Sequence, residues 1–504
     1  MSDTKETKKI GITGIILMVF SVIFGFGNPA VAYLKMGYAS IIWYIFGAFT
    51  FFLPLMFVSA EFAVSFKNES SGGIYTWMRK SRGELYGFVG SFMYYFAIVV
   101  WMVGVSARIW PPISSFVFGK DVTKSWSILG LGNTQTIGLL GMLLIVAITY
   151  FASRGFNKVS TIARIGGISC SVINILLYVT SFTILILNRG FFEEPIKGAY
   201  SFLKTPNPAY EQPIVLIGFI TFAIFAYGGI ESLGSLVDKA KSAKTFSKAC
   251  ILSTVFIATG YCTAILLWGV SSNYTQLTSS EGVTVGNITY VLMNNLGTKL
   301  GLALGMGAQQ AAGMGAMFMR IMGLSMLLCF CGALFTLIYS PLKTLLDGAP
   351  KNMWPKAMTM KNKYDMPQNA MWMQAAVVCV LIISTSFVGK DAKALFDVLQ
   401  LLSNVGQCLP YLFIIASFPA FRRKDELNHE YKIFKTNFSV DIVCLISFLV
   451  ILFGTISTIF QPVLAKEENG VFQTCWMLLA PVIFISIAFI IFYFYKKREA
   501  ESNV

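Results

Sequence analysis

The stretch FAYGGIESLG, Phe225 to Gly234, closes an apolar run with two adjacent glycines and a carboxylate. In a membrane helix this is costly. Glycine costs about 1 kcal/mol against alanine in a helix interior, and a carboxylate at bilayer depth at least about 2.5–3.5 kcal/mol. A second stretch, IFGFGNPAV from Ile23 to Val31, places Gly25, Gly27 and Pro29 inside the first apolar run. Either interruption alone is compatible with the ordinary abundance of Gly and Pro in membrane helices. As a pair they say more, because they fall in the first and sixth apolar segments, five apart, so the second enters the membrane in the opposite sense. Interrupted helices at matching positions of two inverted halves point to the binding site of a secondary transporter.

The chain around them is a polytopic membrane protein by composition: 56% of its 504 residues are hydrophobic and only 12% are charged, about half the charge of a soluble domain. About twelve apolar segments follow one another, starting near residues 10, 38, 84, 134, 160, 212, 247, 318, 371, 394, 438 and 472. The expected architecture is all-α, a five-plus-five inverted repeat with two added helices. The first repeat takes residues 1–190, with its first helix broken at 25–29, and the second takes 211–420, with its first helix broken at 226–232. The added helices fill 437–496, and 497–504 form a short tail.

A net charge of +15 does not imply nucleic acid, because the basic residues lie in clusters between apolar segments and form no stripe on a soluble fold. Alternate loops collect 27 of the 39 Lys and Arg. By the positive-inside rule that face is cytoplasmic and carries both termini. The first apolar stretch is long and lacks a small-residue cleavage site, so it is expected to remain as a helix. Most of the nine cysteines fall inside apolar segments and the one histidine, His429, lies in a charged loop. No metal site, cofactor or catalytic constellation is expected.

Unwound backbone at bilayer depth is tolerable only where it lines a cavity or meets a ligand. Half-helix N-termini favour a carboxylate, and freed carbonyls favour an ammonium group or a cation. Together these suit a zwitterion.

The segment Val58–Phe88 resembles the link between helices 2 and 3 of the amino acid, polyamine and organocation (APC) transporter superfamily, through Ala60-Glu61, Ser71-Gly72-Gly73, Tyr75 and Gly83. Gly25-Phe26-Gly27 resembles that superfamily's helix 1 break, and Phe225 with Gly229-Ile230-Glu231 its helix 6 motif. Tyr339–Trp372 is similar to the glutamate/GABA antiporter family, in particular its YjeM-type branch. The resemblance implies a LeuT-like fold and an amino acid as small-molecule partner, held in a lipid bilayer by a monomer or homodimer. It implies a substrate carboxylate at Gly25, Phe26 and Gly27, with Asn28 adding a polar contact, and an amine at the carbonyls around Tyr227, Gly228 and Gly229. Phe225 would be an aromatic lid and Glu231 a proton-sensing carboxylate, whose alternative is a buried group bonded to unwound backbone. Arg164 would lie inside helix 5 as a stand-in for a sodium ion, or snorkel at the interface. Phe26 replaces the small polar residue usual in the family, and the tail after Lys497 is too short for a gating plug.

Other polar residues have competing readings. Glu61 either pairs with a loop cation or serves transport, and Arg108 and Arg320 either attract an anion or anchor helices at the interface. Asp238 reads as a solvated helix end. The sequons at Asn273 and Asn287 and the Gly301-x-x-x-Gly305 spacing carry little weight, the last explained by helix packing. The functional reading is a secondary amino acid transporter working by alternating access. The competitors are a sensor on a transporter fold, and more remotely a channel or a membrane enzyme.

Overall fold

The computed structural model describes residues 11–66, 73–128, 130–229, 241–280, 282–350, 352–386, 392–424, 426–427, 432–467 and 469–502; within these, the side chains of residues 21, 156–164, 243, 340, 392–396 and 502 are outside the description. The helices in chain order are α1 (Ile12–Ile23), α2 (Gly27–Met36), α3 (Ser40–Gly47), α4 (Leu53–Ser65), α5 (Ile74–Arg82), α6 (Glu84–Arg108), α7 (Trp110–Phe118) and α8 (Asn133–Ala152). There follow α9 (Phe156–Leu187), α10 (Tyr200–Leu203), α11 (Pro213–Ala226), α12 (Ala243–Ser271), α13 (Tyr274–Ser279), α14 (Ile288–Ala303) and α15 (Ala308–Gly348). The last are α16 (Lys356–Thr359), α17 (Gln368–Ser386), α18 (Ala392–Arg422), α19 (Asn437–Leu464) and α20 (Gly470–Ser502). The described residues contain no strand. The fold is all-α and polytopic.

Ten stretches among the described residues are long and apolar enough to cross a membrane, against about twelve expected from sequence. The shortfall is at the interruptions. Helix α1 has 12 residues and α11 has 14, or about 18 and 21 Å at 1.5 Å per residue, short of the roughly 30 Å hydrocarbon core. Helix α2, cut from α1, is grouped with α3 and α4 in one stretch, Gly27–Ser65.

Large apolar side chains remain exposed along one side of α9, where Ile168, Val172, Ile175, Val179, Phe182 and Ile186 recur every three or four residues. That spacing makes a continuous apolar stripe, which a lipid phase covers and water does not. Inside, one hydrophobic cluster joins α1–α4, α11, α12 and α14 with parts of α18 and α19. A second joins α6, α8, α15, α17 and α20. Both interruptions lie in the first cluster.

The region between α12 and α15, whose Gly and Met content gives little direction in sequence, forms α13, α14 and the start of α15. A Cβ on Gly301 would lie 2.8 Å from the Ala311 Cα, so the small-residue spacing serves close packing of α14 on α15. Asn273 caps α13 through Oδ1, 3.2 Å from the Gln276 N–H, and Asn287 donates to the Asp121 Oδ2 at 2.7 Å. Both asparagines hold turns.

Candidate functional site: two interrupted helices joined by Tyr261

Helix α1 stops at Ile23, and Phe24 turns extended at φ −73°, ψ 99°. Helix resumes at Gly27, so the interruption covers Phe24–Phe26 and not 25–29 as expected. The reason is Pro29. It occupies the third position of α2, where a backbone N–H has no intrahelical partner to lose, so here proline starts a helix instead of ending one. Gly27 is therefore already helical, and a Cβ there would meet only the Thr289 Oγ1 at 3.7 Å. Gly25 is the crowded position, with the Asn28 Nδ2 2.7 Å from its notional Cβ.

Helix α11 ends at Ala226, and of the stretch 226–232 expected to break this helix only residues up to Gly229 are among the described ones. Tyr227 leaves the helix at φ −90°, ψ 1°, and Gly229 has φ +108°, a backbone state that side chains other than glycine's rarely adopt. Gly228 is hemmed in: a Cβ would lie 2.9 Å from the Gln407 Nε2, 3.0 Å from the Tyr411 hydroxyl and 3.1 Å from the Phe225 carbonyl. Glu231 and Asp238 lie outside the described residues.

One side chain from α12 connects the two interruptions. The Tyr261 hydroxyl accepts from the Gly25 N–H at 2.9 Å and from the Asn28 Nδ2 at 3.4 Å. It also faces two carbonyls, Ile23 at 3.0 Å and Ala226 at 2.8 Å. A hydroxyl carries a single proton, so it satisfies one of these carbonyls at a time. The other keeps an acceptor lone pair directed into the junction. A second tyrosine, Tyr411 of α18, accepts from the Gly229 N–H at 3.0 Å and from the Gln407 Nε2 at 2.6 Å.

Aromatic rings frame the junction. Phe24 stacks on Tyr261 with centroids 4.4 Å apart, and Phe52 stacks on Tyr227 at the same distance. Tyr227 is fully buried and donates to the Tyr44 carbonyl at 3.1 Å, so it supports the break from behind. Phe26 packs edge-on against Trp268 at 5.9 Å, which places its bulk in the α12 contact. Phe225 is half-buried at the C-terminal end of α11. Asn28 alone among the expected residues near the first break presents a side-chain polar group to the junction.

Arg164 is in α9 (Phe156–Leu187), and its side chain is outside the described residues. Glu61 pairs with Arg422 at 2.9 Å, with both side chains almost wholly buried, and also accepts from the Ile433 and Phe434 N–H groups at 2.6 and 3.2 Å. This is the structural pairing, with a partner at the end of α18. Arg320 donates to the Phe116 and Val117 carbonyls at the end of α7, as a helix anchor. Arg108 is bonded inside the bundle. The nine cysteines are all free, and no group of acids, cysteines and histidines able to hold a metal occurs among the described residues.

Sequence reasoning missed Tyr261, Tyr411 and Gln407. Each stands directly beside a glycine or proline, Gly260, Pro410 and Gly406, yet Tyr261 and Tyr411 gain meaning only from backbone contributed by distant segments, and Gln407 from its bond to Tyr411.

An all-α bundle with ten apolar stretches long enough to cross a membrane, in which a tyrosine hydroxyl joins the end of α1 to the end of α11, is the architecture of an integral membrane protein. The chain belongs to the amino acid permease family, whose profile matches residues 10–485. Across 98% of both chains it is 44% identical to the inner membrane transporter YjeM of Escherichia coli (strain K12). It is 22% identical to the glutamate/gamma-aminobutyrate antiporter of Lactococcus lactis subsp. lactis, over 98% of this chain and 92% of that one. The arginine/ornithine antiporter of Latilactobacillus sakei is 23% identical over 77% and 75%. The protein is a multi-pass membrane transporter of the amino acid class, and not an enzyme.

Proposed function

We propose that this protein is a secondary carrier that moves an amino acid, or a GABA-like derivative, across the cytoplasmic membrane by alternating access, as an antiporter or with proton coupling. The observation that carries this reading is the Tyr261 hydroxyl, set between the Ile23 and Ala226 carbonyls with one proton for two acceptors. An ammonium group supplies the donors this junction lacks; at the start of α2, where Pro29 has no N–H and the Asn28 N–H is bonded to the Gly25 carbonyl, the Gly27 N–H and the Asn28 side chain are the donors for a carboxylate. The names of the relatives, two of them antiporters, agree with exchange, and YjeM's name supports the inner membrane. The basic loops support cytoplasmic termini.

In this reading residues 1–190 and 211–420 are the two inverted repeats. Gly25, Phe26, Gly27 and Asn28 form the carboxylate side, Tyr227, Gly228 and Gly229 the amine side, and Phe225 a lid. Arg164 supplies the fixed charge that makes transport independent of sodium. A thermal-shift screen of purified protein against amino acids and related amines tests the reading. Zwitterions should stabilise the protein where matched monoamines and monocarboxylates do not; no stabilisation by any zwitterion would overturn it.

Glu231 is assigned the proton. Only a difference in proton affinity between two conformations shifts their populations, so coupling must appear as pH-dependent transport. Glu231→Gln is expected to flatten the profile of exchange between about pH 5 and 8, the interval a desolvated carboxylate reaches. Superimposable pH-dependent profiles for wild type and variant, measured in liposomes with clamped internal pH, would remove the assignment.

A further inference from the structure

Arg108 lies at the end of α6, enclosed by protein, yet it keeps part of its surface accessible. Its Nε donates to the Gly104 carbonyl at 3.2 Å, Nη1 to the Gln400 Oε1 at 3.1 Å and Nη2 to the Ser403 Oγ at 3.3 Å. All three acceptors are neutral, and Arg108 forms no ion pair with a carboxylate among the described residues. A guanidinium has five N–H groups, so two stay uncommitted on the two Nη atoms. Asp121 is engaged elsewhere, by the Asn287 Nδ2 at 2.7 Å and by Thr123 through N and Oγ1. Room for the head group is kept by Gly104, where a Cβ would lie 2.5 Å from the Arg108 Nη2.

The acceptors belong to a longer pattern on α18. Gln400, Ser403, Asn404, Gln407 and Tyr411 are all buried, and spacings of three, one, three and four residues place them on one face of the helix. Two bonds run along the stripe: Gln400 donates to Asn404 at 2.8 Å, and Gln407 to Tyr411 at 2.6 Å. Tyr411 then receives the Gly229 N–H of the second break. The stripe thus runs from a fixed cation to the junction. From Ser403 to Tyr411 the helix rises about 12 Å, more than one amino acid spans.

We propose that Arg108, with Gly104, Gln400 and Ser403, forms a small-anion station separate from the two breaks, taking a carboxylate or a halide, with the α18 stripe as the polar path between station and junction. This rests on the carrier reading for its purpose. On the orientation given by the basic loops, the station is on the outer side of the junction. The planar fork with spare N–H groups suits a carboxylate in two-point contact, and neutral acceptors around it leave the cation's charge uncompensated for an incoming anion.

Full-length protein in neutral-lipid nanodiscs separates the cases, titrated with L-glutamate, L-glutamine and sodium chloride and read by calorimetry. Arg108→Gln is expected to weaken glutamate binding by about tenfold or more, the scale of one charge-assisted contact, and to change glutamine binding less than about threefold. Arg108→Lys, keeping charge without the fork, should fall between them. Chloride binding that disappears in Arg108→Gln, without a glutamate preference in wild type, would identify the occupant as an inorganic anion. Equal binding of glutamate and of chloride by wild type and Arg108→Gln would overturn the proposal and leave Arg108 as a pin between α6 and α18. Failure of wild type to bind either amino acid would count against the carrier reading, and the chloride titration would still judge the station.

Discussion

Tyr261→Phe is expected to abolish exchange while leaving the helices formed. The hydroxyl is the only atom bonded to both interrupted helices among the described residues, accepting from Gly25 and facing the carbonyls of Ile23 and Ala226. Removing it leaves the Gly25 N–H without its acceptor and takes away the one proton that the Ile23 and Ala226 carbonyls share, at about 1–3 kcal/mol for each buried group left unsatisfied. The phenyl ring keeps its stacking on Phe24, so the loss is confined to hydrogen bonding. Exchange in proteoliposomes and a melting curve of the same preparation check this together. Wild-type exchange by a Tyr261→Phe variant of unchanged stability would show that the breaks do not depend on the bridge.

Arg422→Ala is expected to produce the largest stability loss, about 3–5 kcal/mol, because it leaves the buried Glu61 carboxylate without its charge partner. The pair is nearly inaccessible on both sides, and Arg422 also holds the Phe434 carbonyl at 2.8 Å. The network therefore ties α4 to the end of α18 and to the segment leading into α19. Replacing both partners with apolar residues, Glu61→Leu with Arg422→Met, should recover most of the loss, since two desolvated charges are removed together. Denaturation midpoints of the single and double variants form the test. A double variant as unstable as Arg422→Ala would mean that the loss comes from packing or from the Phe434 bond.

The parts of this protein legible in its sequence are those written in backbone chemistry. Gly25, Pro29, Gly228 and Gly229 marked the two stretches, and since such residues are common in membrane helices it was the spacing of five segments that gave the pair its meaning. Pro29 misled by a few residues, since a proline ends one helix and begins another with equal ease. Of the glycines at the two breaks, the positive φ belongs to Gly229. Positive φ has no sequence signature beyond glycine itself.

Side-chain partners were hidden for a different reason. Tyr261 reaches Gly25 across 236 positions, and Arg422 reaches Glu61 across 361. Within an apolar helix a tyrosine that bonds backbone looks the same as one that fills space. The polar stripe on α18 was present as a periodicity, Gln400 to Tyr411, but it became a feature only when Arg108 at one end and Gly229 at the other were found bonded to it.

Exchange of radiolabelled amino acid, chosen by the thermal-shift screen, into liposomes preloaded with it decides whether the two joined breaks are the transport site. Gly228→Leu forces a side chain against Gln407 and Tyr411, 2.9 and 3.0 Å from its first carbon. A folded Gly228→Leu variant is expected to lose both substrate binding and exchange. Wild-type exchange by Gly228→Leu would contradict it and place the site elsewhere in the bundle.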